Sequence, residues 1–204
     1  MKRSFLIILF TLSVAISDGA QAPQPSGSLT AKQWQHLVTA LEREDWVTAE
    51  RLSWGYLALV KTDDATRARG RLRYMYLYSA AGKVSKGKMT YAALARRIRT
   101  FAGKEVVFPY RPVSNECHGG DSNIICKGQD ASRLLIVGTN RDRSTIHDFE
   151  YIKLREPLDF EENDGKQAAI VGHIDSISPN PNRSRALILR VYVSNAYLTV
   201  RDAP

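Results

Sequence analysis

The stretch Arg67-Ala68-Arg69-Gly70-Arg71-Leu72-Arg73-Tyr74-Met75-Tyr76-Leu77-Tyr78 points most directly to chemistry through residue type and spacing. On a helix, Arg67, Arg71, Tyr74 and Tyr78 stand at i, i+4, i+7 and i+11 and share one face. Guanidinium forks on such a face hold phosphate, carboxylate or sulfate, while the rings stack or pack. Arg96, Arg97 and Arg99 lie in a later helical stretch and extend the basic surface, with Lys83, Lys86 and Lys88 in the turn between. The expected chemistry is anion docking. The same pattern also fits a solvated helix whose Arg stems cover apolar ground, with the Tyr residues lining a groove between helices.

A second group lies in the later half: Phe108, Tyr110, Tyr151, Tyr192 and Tyr197, with Arg111, Arg155 and Arg190. Aromatics and Arg on one sheet face suit stacking on flat ligands, although strand aromatics also serve as core. Arg190 and Tyr192 alternate against Leu187, Leu189, Val191 and Val193, so they are expected on the outer face.

Catalytic patterns are sparse. His36, His118, His147 and His173 are scattered, and H-E-x-x-H, G-x-S-x-G, the P-loop and G-x-G-x-x-G are all missing. His147-Asp148 followed by Glu150 forms the one local acid–base cluster. Glu161, Glu162 and Asp164 lack EF-hand spacing. The expectation is no catalytic residue, no metal site and no cofactor. Cys117 and Cys126 are separated by eight residues, a spacing unlike the usual metal or redox pairs, and are read as a structural disulfide. Asn182-Arg183-Ser184 fits a glycosylation sequon.

Location follows from the first residues. Lys2 and Arg3 precede an apolar run from Phe5 to Ile16, and Ala20-Gln21-Ala22 ends the segment. This is the layout of a secretory signal peptide over residues 1–22, too short an apolar run to span a membrane. The mature chain is expected to begin near Pro23, secreted or periplasmic, without a transmembrane segment. Charge is uneven in what remains. Residues 23–104 carry 15 Lys and Arg against 6 Asp and Glu, and residues 105–204 carry 12 against 14. The first half therefore suits an acidic partner.

The elements that must position these residues change period near Lys104. Thr30 with Gln33 forms a capping box, and Trp34, Leu37, Val38 and Leu41 follow at helical spacing. Trp46, Ala49, Leu52 and Tyr56 line a second helix. Asp63 and Asp64 cap a third, whose apolar face runs from Ala65 to Ser79 and which Gly82 ends. Thr90 opens a fourth, which Gly103 stops. Beyond it, strands are expected at Val106–Val113, Asn123–Cys126, Arg133–Gly138, Ala168–Ile174, Ala186–Val193 and Tyr197–Val200. Gly172 is placed for a bulge, and 142–164 is expected as a loop or short helix.

Ala40-Leu41-Glu42-Arg43-Glu44-Asp45-Trp46-Val47-Thr48-Ala49-Glu50 resembles the tetratricopeptide repeat, with a second partial copy at Ala80-Ala81-Gly82. That resemblance implies antiparallel helical hairpins over residues 30–103; a plain four-helix bundle fits the same periodicity. Gly103-Lys104-Glu105-Val106-Val107 and Lys166-Gln167-Ala168-Ala169-Ile170-Val171-Gly172-His173-Ile174 resemble strands of OB-type domains. That resemblance implies a small barrel binding oligonucleotides, oligosaccharides or protein on one face. An SH3-like barrel or a sandwich remains an alternative. The fold class expected is α+β, with a helical domain at 23–103 and a small barrel at 104–204. The function expected is a non-enzymatic binding or adaptor protein that docks an acidic protein or an anionic envelope polymer, not nucleic acid. One alternative is oligosaccharide or polymer binding on the barrel face; a second is an enzyme using the His147/Glu150 region.

Overall fold

The computed structural model describes residues 29–61, 67–118, 120–180 and 187–203. The leader, the Asp63–Asp64 cap and the Asn182 sequon lie outside the described residues. Four helices come first: α1 (Ala31–Glu42), α2 (Trp46–Leu59), α3 (Ala68–Ser85) and α4 (Tyr91–Ile98), the last continued by a 3-10 turn over Arg99–Phe101. Seven strands follow: β1 (Glu105–Val107), β2 (Arg111–Ser114), β3 (Ile125–Lys127), β4 (Arg133–Thr139), β5 (Ile146–Leu154), β6 (Gln167–Pro179) and β7 (Leu187–Arg201).

Local chemistry sets most helix starts. The Thr30 hydroxyl accepts from the Gln33 amide, and Gln33 accepts from the Thr30 amide in return, closing a capping box. Asp45 accepts from the Thr48 amide at α2, and Thr90 from the Ala93 amide at α4. The third helix differs from expectation: it runs three residues past Gly82, to Ser85. The reason is packing. A Cβ on Gly82 would lie 2.4 Å from the Trp46 ring, so glycine here admits the indole of α2 instead of ending α3. Gly103, at φ +72°, does mark the stop after the 3-10 turn.

The seven strands form one mixed sheet in the order β1-β6-β2-β3-β4-β5-β7. Because β7 also pairs with β6, the pairings lead round from β6 to β7 and back, and the sheet curls into a ring of strands. The β2–β3 and β5–β7 pairs are parallel and the rest antiparallel. Val106–Val113 is two strands rather than one, interrupted at Phe108–Tyr110 around Pro109. The pairing of β6 with β7 shifts register between Val171 and His173, which places a bulge at Gly172. A Cβ there would come within 2.5 Å of Val193.

One expectation fails outright. Residues 146–154 are a nine-residue strand, β5, inside the span expected as loop or helix. Asp148, Glu150, Ile152 and Leu154 are buried along one face, while Tyr151 and Lys153 are exposed on the other. The inner face opens with two carboxyls, which inverts the usual apolar-inside reading.

α3 sits between α2 on one side and β1, β5 and β7 on the other. A single buried cluster runs through both halves, from Leu37, Leu72 and Tyr76 to Ile136, Ile170 and Ile188. Among the described residues, no helix is long and apolar enough to cross a membrane. Cys117 and Cys126 form a disulfide, which is compatible with an oxidising, extracellular location. Reduction is expected to lower the unfolding free energy by about 2–3 kcal/mol on the chain-entropy estimate for so short a loop. Urea unfolding with and without dithiothreitol checks this; an unchanged midpoint would mean that the bond adds nothing to stability.

Candidate functional site

Two arrangements stand out, one sealed and one open. The sealed one joins the helices to the sheet. Arg111 on β2 is 4% exposed; its Nη1 donates to Glu150 Oε2 at 3.1 Å and its Nη2 donates to the Tyr74 hydroxyl. Asp148 and Glu150 are two residues apart on β5, so both side chains point to the same side. Asp148 Oδ1 and Glu150 Oε1 are both buried without a hydrogen-bond partner among the described residues, and of the two carboxyls Arg111 meets only Glu150, at Oε2. Gly138 lies opposite Asp148 in the β4–β5 register, and a Cβ on it would lie 2.0 Å from Asp148 Oδ1.

Burial raises the pKa of both carboxyls, that of Glu150 well above its ordinary value, and the neighbouring Arg111 guanidinium opposes the rise. Around this centre Tyr78 donates from its hydroxyl to the Thr139 carbonyl at 2.6 Å. His147 packs against Trp46 at 4.8 Å and Tyr78 at 4.7 Å between ring centroids. Burial holds His147 down to about 4, so its ring is neutral at physiological pH. His147 and Glu150 are both 0% exposed, which places the acid–base cluster inside the molecule, away from any substrate in solution.

The seven basic and aromatic helix candidates separate. Tyr74 and Tyr78 turn toward the sheet: Tyr74 is buried and Tyr78 half-buried, and their rings stack at 6.1 Å. Arg67 is half-buried, with its guanidinium 5.1 Å from the Tyr197 ring centroid; Arg155 stands 5.3 Å from the same ring. Arg97 pairs with the buried Glu50, which Lys83 also meets at 2.7 Å, and lies 5.5 Å from the Trp54 ring. Arg71, Arg96 and Arg99 are exposed.

The open arrangement is on the outer face of the ring of strands. In the β5–β7 register Tyr151 stands beside Tyr192, and Phe149 beside Arg190. The Tyr151 and Tyr192 rings are stacked at 4.9 Å with an interplanar angle of 11°. They are 39% and 38% exposed, among the largest apolar surfaces the molecule shows to solvent. Phe149 extends the row, stacked on Tyr151 at 6.3 Å and 24°. Arg190 is half-buried at the edge of the row. Strand pairing explains the row: i and i+2 on β5 share a face, and the parallel neighbour supplies the third ring alongside.

Sequence reasoning placed Tyr192 outside. It also groups Tyr151 with Tyr192 but leaves out Phe149, and with 142–164 expected as a loop or short helix it does not set the rings side by side. The signal was present as the alternation Phe149, Tyr151, Lys153, which runs on the outer instead of the inner face. Comparison of the chain with protein-family models, curated proteins and solved structures finds no match.

Proposed function

We propose that this chain is an exported, non-enzymatic binding protein that holds an oligosaccharide on the outer face of its strand ring. In this reading residues 104–204 form an OB-like small barrel, and residues 23–103 form two tetratricopeptide-like hairpins that brace it. The pairing circuit from β6 round to β7 supports the barrel. The hairpin reading rests on α2, whose acidic turn and Trp46-x-x-Ala49 start match the repeat pattern.

One observation carries the ligand class: the coplanar, half-exposed pair Tyr151–Tyr192 with Phe149 continuing it. Flat aromatic surface left in water is a stacking platform for flat, weakly hydrated faces. The C–H face of a sugar ring meets that description, and Arg190 at the edge can donate to its hydroxyls. The test is a glycan array probed with residues 23–204 at low and high salt. Retention of one glycan class at both salt levels is the expected result. Retention of nothing, or only of polyanions that wash off with salt, would overturn it.

A second reading has its own support. Arg71, Arg96 and Arg99 are exposed in a helical half whose charge over 23–104 is strongly positive. An acidic protein or anionic envelope polymer docking there would bind through long-range attraction, and would be the salt-sensitive arm of the same array.

A further inference from the structure

The aromatic row ends in a recess. The recess has a volume of about 190 Å³, and Phe149, the first ring of the row, forms one of its walls together with Val137 and Ile146. The opposite wall is the disulfide-closed loop, through Asp121 and Ser122. That loop is pinned to the sheet by the Asn123 amide, which donates to the Val137 carbonyl at 2.8 Å. The β4–β5 turn supplies Thr139 and Arg143. The Thr139 hydroxyl is buried without a hydrogen-bond partner. Arg143 is exposed and has no ion-pair partner among the described residues.

We propose that this recess takes the terminal unit of the oligosaccharide lying across Phe149, Tyr151 and Tyr192, and that it reads a carboxylate on that unit through Arg143. The inference rests on the stacking reading of the face and adds to it an end and a charge. Three features carry it. Sites for drug-sized ligands begin at about 300 Å³, so a recess of this size holds a single ring rather than a stretch of chain. Its walls pair an aromatic and two aliphatic side chains with hydroxyls and a carboxylate, a lining suited to a ring with one apolar face and a polar rim. Its free cation is a guanidinium, whose planar fork matches a carboxylate in a bidentate pair. Residues of the disulfide loop and of the β4–β5 turn line the recess at this end of the row.

The experiment uses matched probes: a neutral pentasaccharide of the class retained on the array, and two analogues carrying a single uronic acid at one terminus or the other. Titration calorimetry with residues 23–204 is expected to show one analogue binding about tenfold more tightly than the neutral parent, the size of one charge-assisted hydrogen-bonded contact. That gain should vanish in Arg143→Asn, a replacement that also accepts the left-handed backbone at this position (φ +57°). It should also vanish in Val137→Phe, which fills the recess from the sheet side. Thermal melting shows whether each variant folds, and the two lie on different elements. Equal binding of all three probes, or a gain that survives Arg143→Asn, overturns the inference and leaves the stacking face standing. Failure of all three probes to bind overturns both.

Discussion

Replacing Arg111 with methionine is expected to lower the unfolding free energy by about 3–5 kcal/mol, the range for removing one partner of a buried ion pair. The size follows from what remains. Asp148 and Glu150 are buried at the junction of β5 with α3, and Arg111 is the cation that pairs with Glu150. Its removal also strips the Tyr74 hydroxyl of its donor. The companion variant Glu150→Gln is expected to behave in the opposite way. A Gln side chain keeps a carbonyl oxygen for Arg111 and cannot ionise, so this variant should be close to wild type at neutral pH or somewhat more stable.

The pH dependence gives the sign. Burial in the folded state raises the pKa of Glu150 well above its ordinary value near 4.5, so the folded chain retains a proton that the unfolded chain releases. That contribution is fully present below the ordinary value and is lost as pH rises through the folded one. His147 works in the other window. Its folded value, about 4, lies below the ordinary 6.5, so its contribution is present above 6.5 and is lost as pH falls toward 4. Urea midpoints measured across pH should show the alkaline-side loss in wild type and a reduced loss in Glu150→Gln. Equal slopes in the two proteins would show that Glu150 does not retain its proton in the folded state.

The double replacement Tyr151→Ala/Tyr192→Ala is expected to abolish ligand binding while leaving the fold in place. Stacking of a flat ring on an aromatic side chain contributes about 1–3 kcal/mol per contact, so losing two contacts removes about thirtyfold or more in affinity. Each single variant should lose about fivefold or more. Both rings already stand well in solvent, so the stability change should stay within about 1 kcal/mol. Calorimetric titration of the glycan retained on the array, beside thermal melting of the same samples, separates the two effects. Unchanged affinity in the double variant would remove the platform from the binding site and shift attention to Arg71, Arg96 and Arg99.

Much of the helical half is legible in the sequence because its signals are local. Thr30, Asp45 and Thr90 cap helices through amides three residues away, a relation that any window of the chain displays. The disulfide is legible from count, spacing and the expected compartment. Gly82 misleads because its role is set by Trp46, far off in the chain and packed against it. The strand β5 is hidden for a similar reason. Asp148 and Glu150 read as solvent-facing loop residues, and only Arg111 and Tyr74, brought in from a distant strand and helix, make them an inner face. The sequence names Tyr151 and Tyr192 in one aromatic group, but without β5 as a strand it shows neither their stacking nor the place of Phe149 beside them. The basic helix face is the converse case. Helical spacing groups Arg67, Arg71, Tyr74 and Tyr78, but Arg67 precedes α3 in a left-handed conformation (φ +53°), and spacing cannot tell that α3 is covered by the sheet on the Tyr74 side.

The most direct measurement is an NMR titration of the isotope-labelled chain, residues 23–204, with the glycan retained on the array, following aromatic and backbone signals together. Shifts concentrated at Phe149, Tyr151 and Tyr192, spreading to Val137 and Arg143 at the recess, are the expected result. Shifts concentrated at Arg71, Arg96 and Arg99, with the three rings unmoved, would contradict it and place the binding surface on the helices.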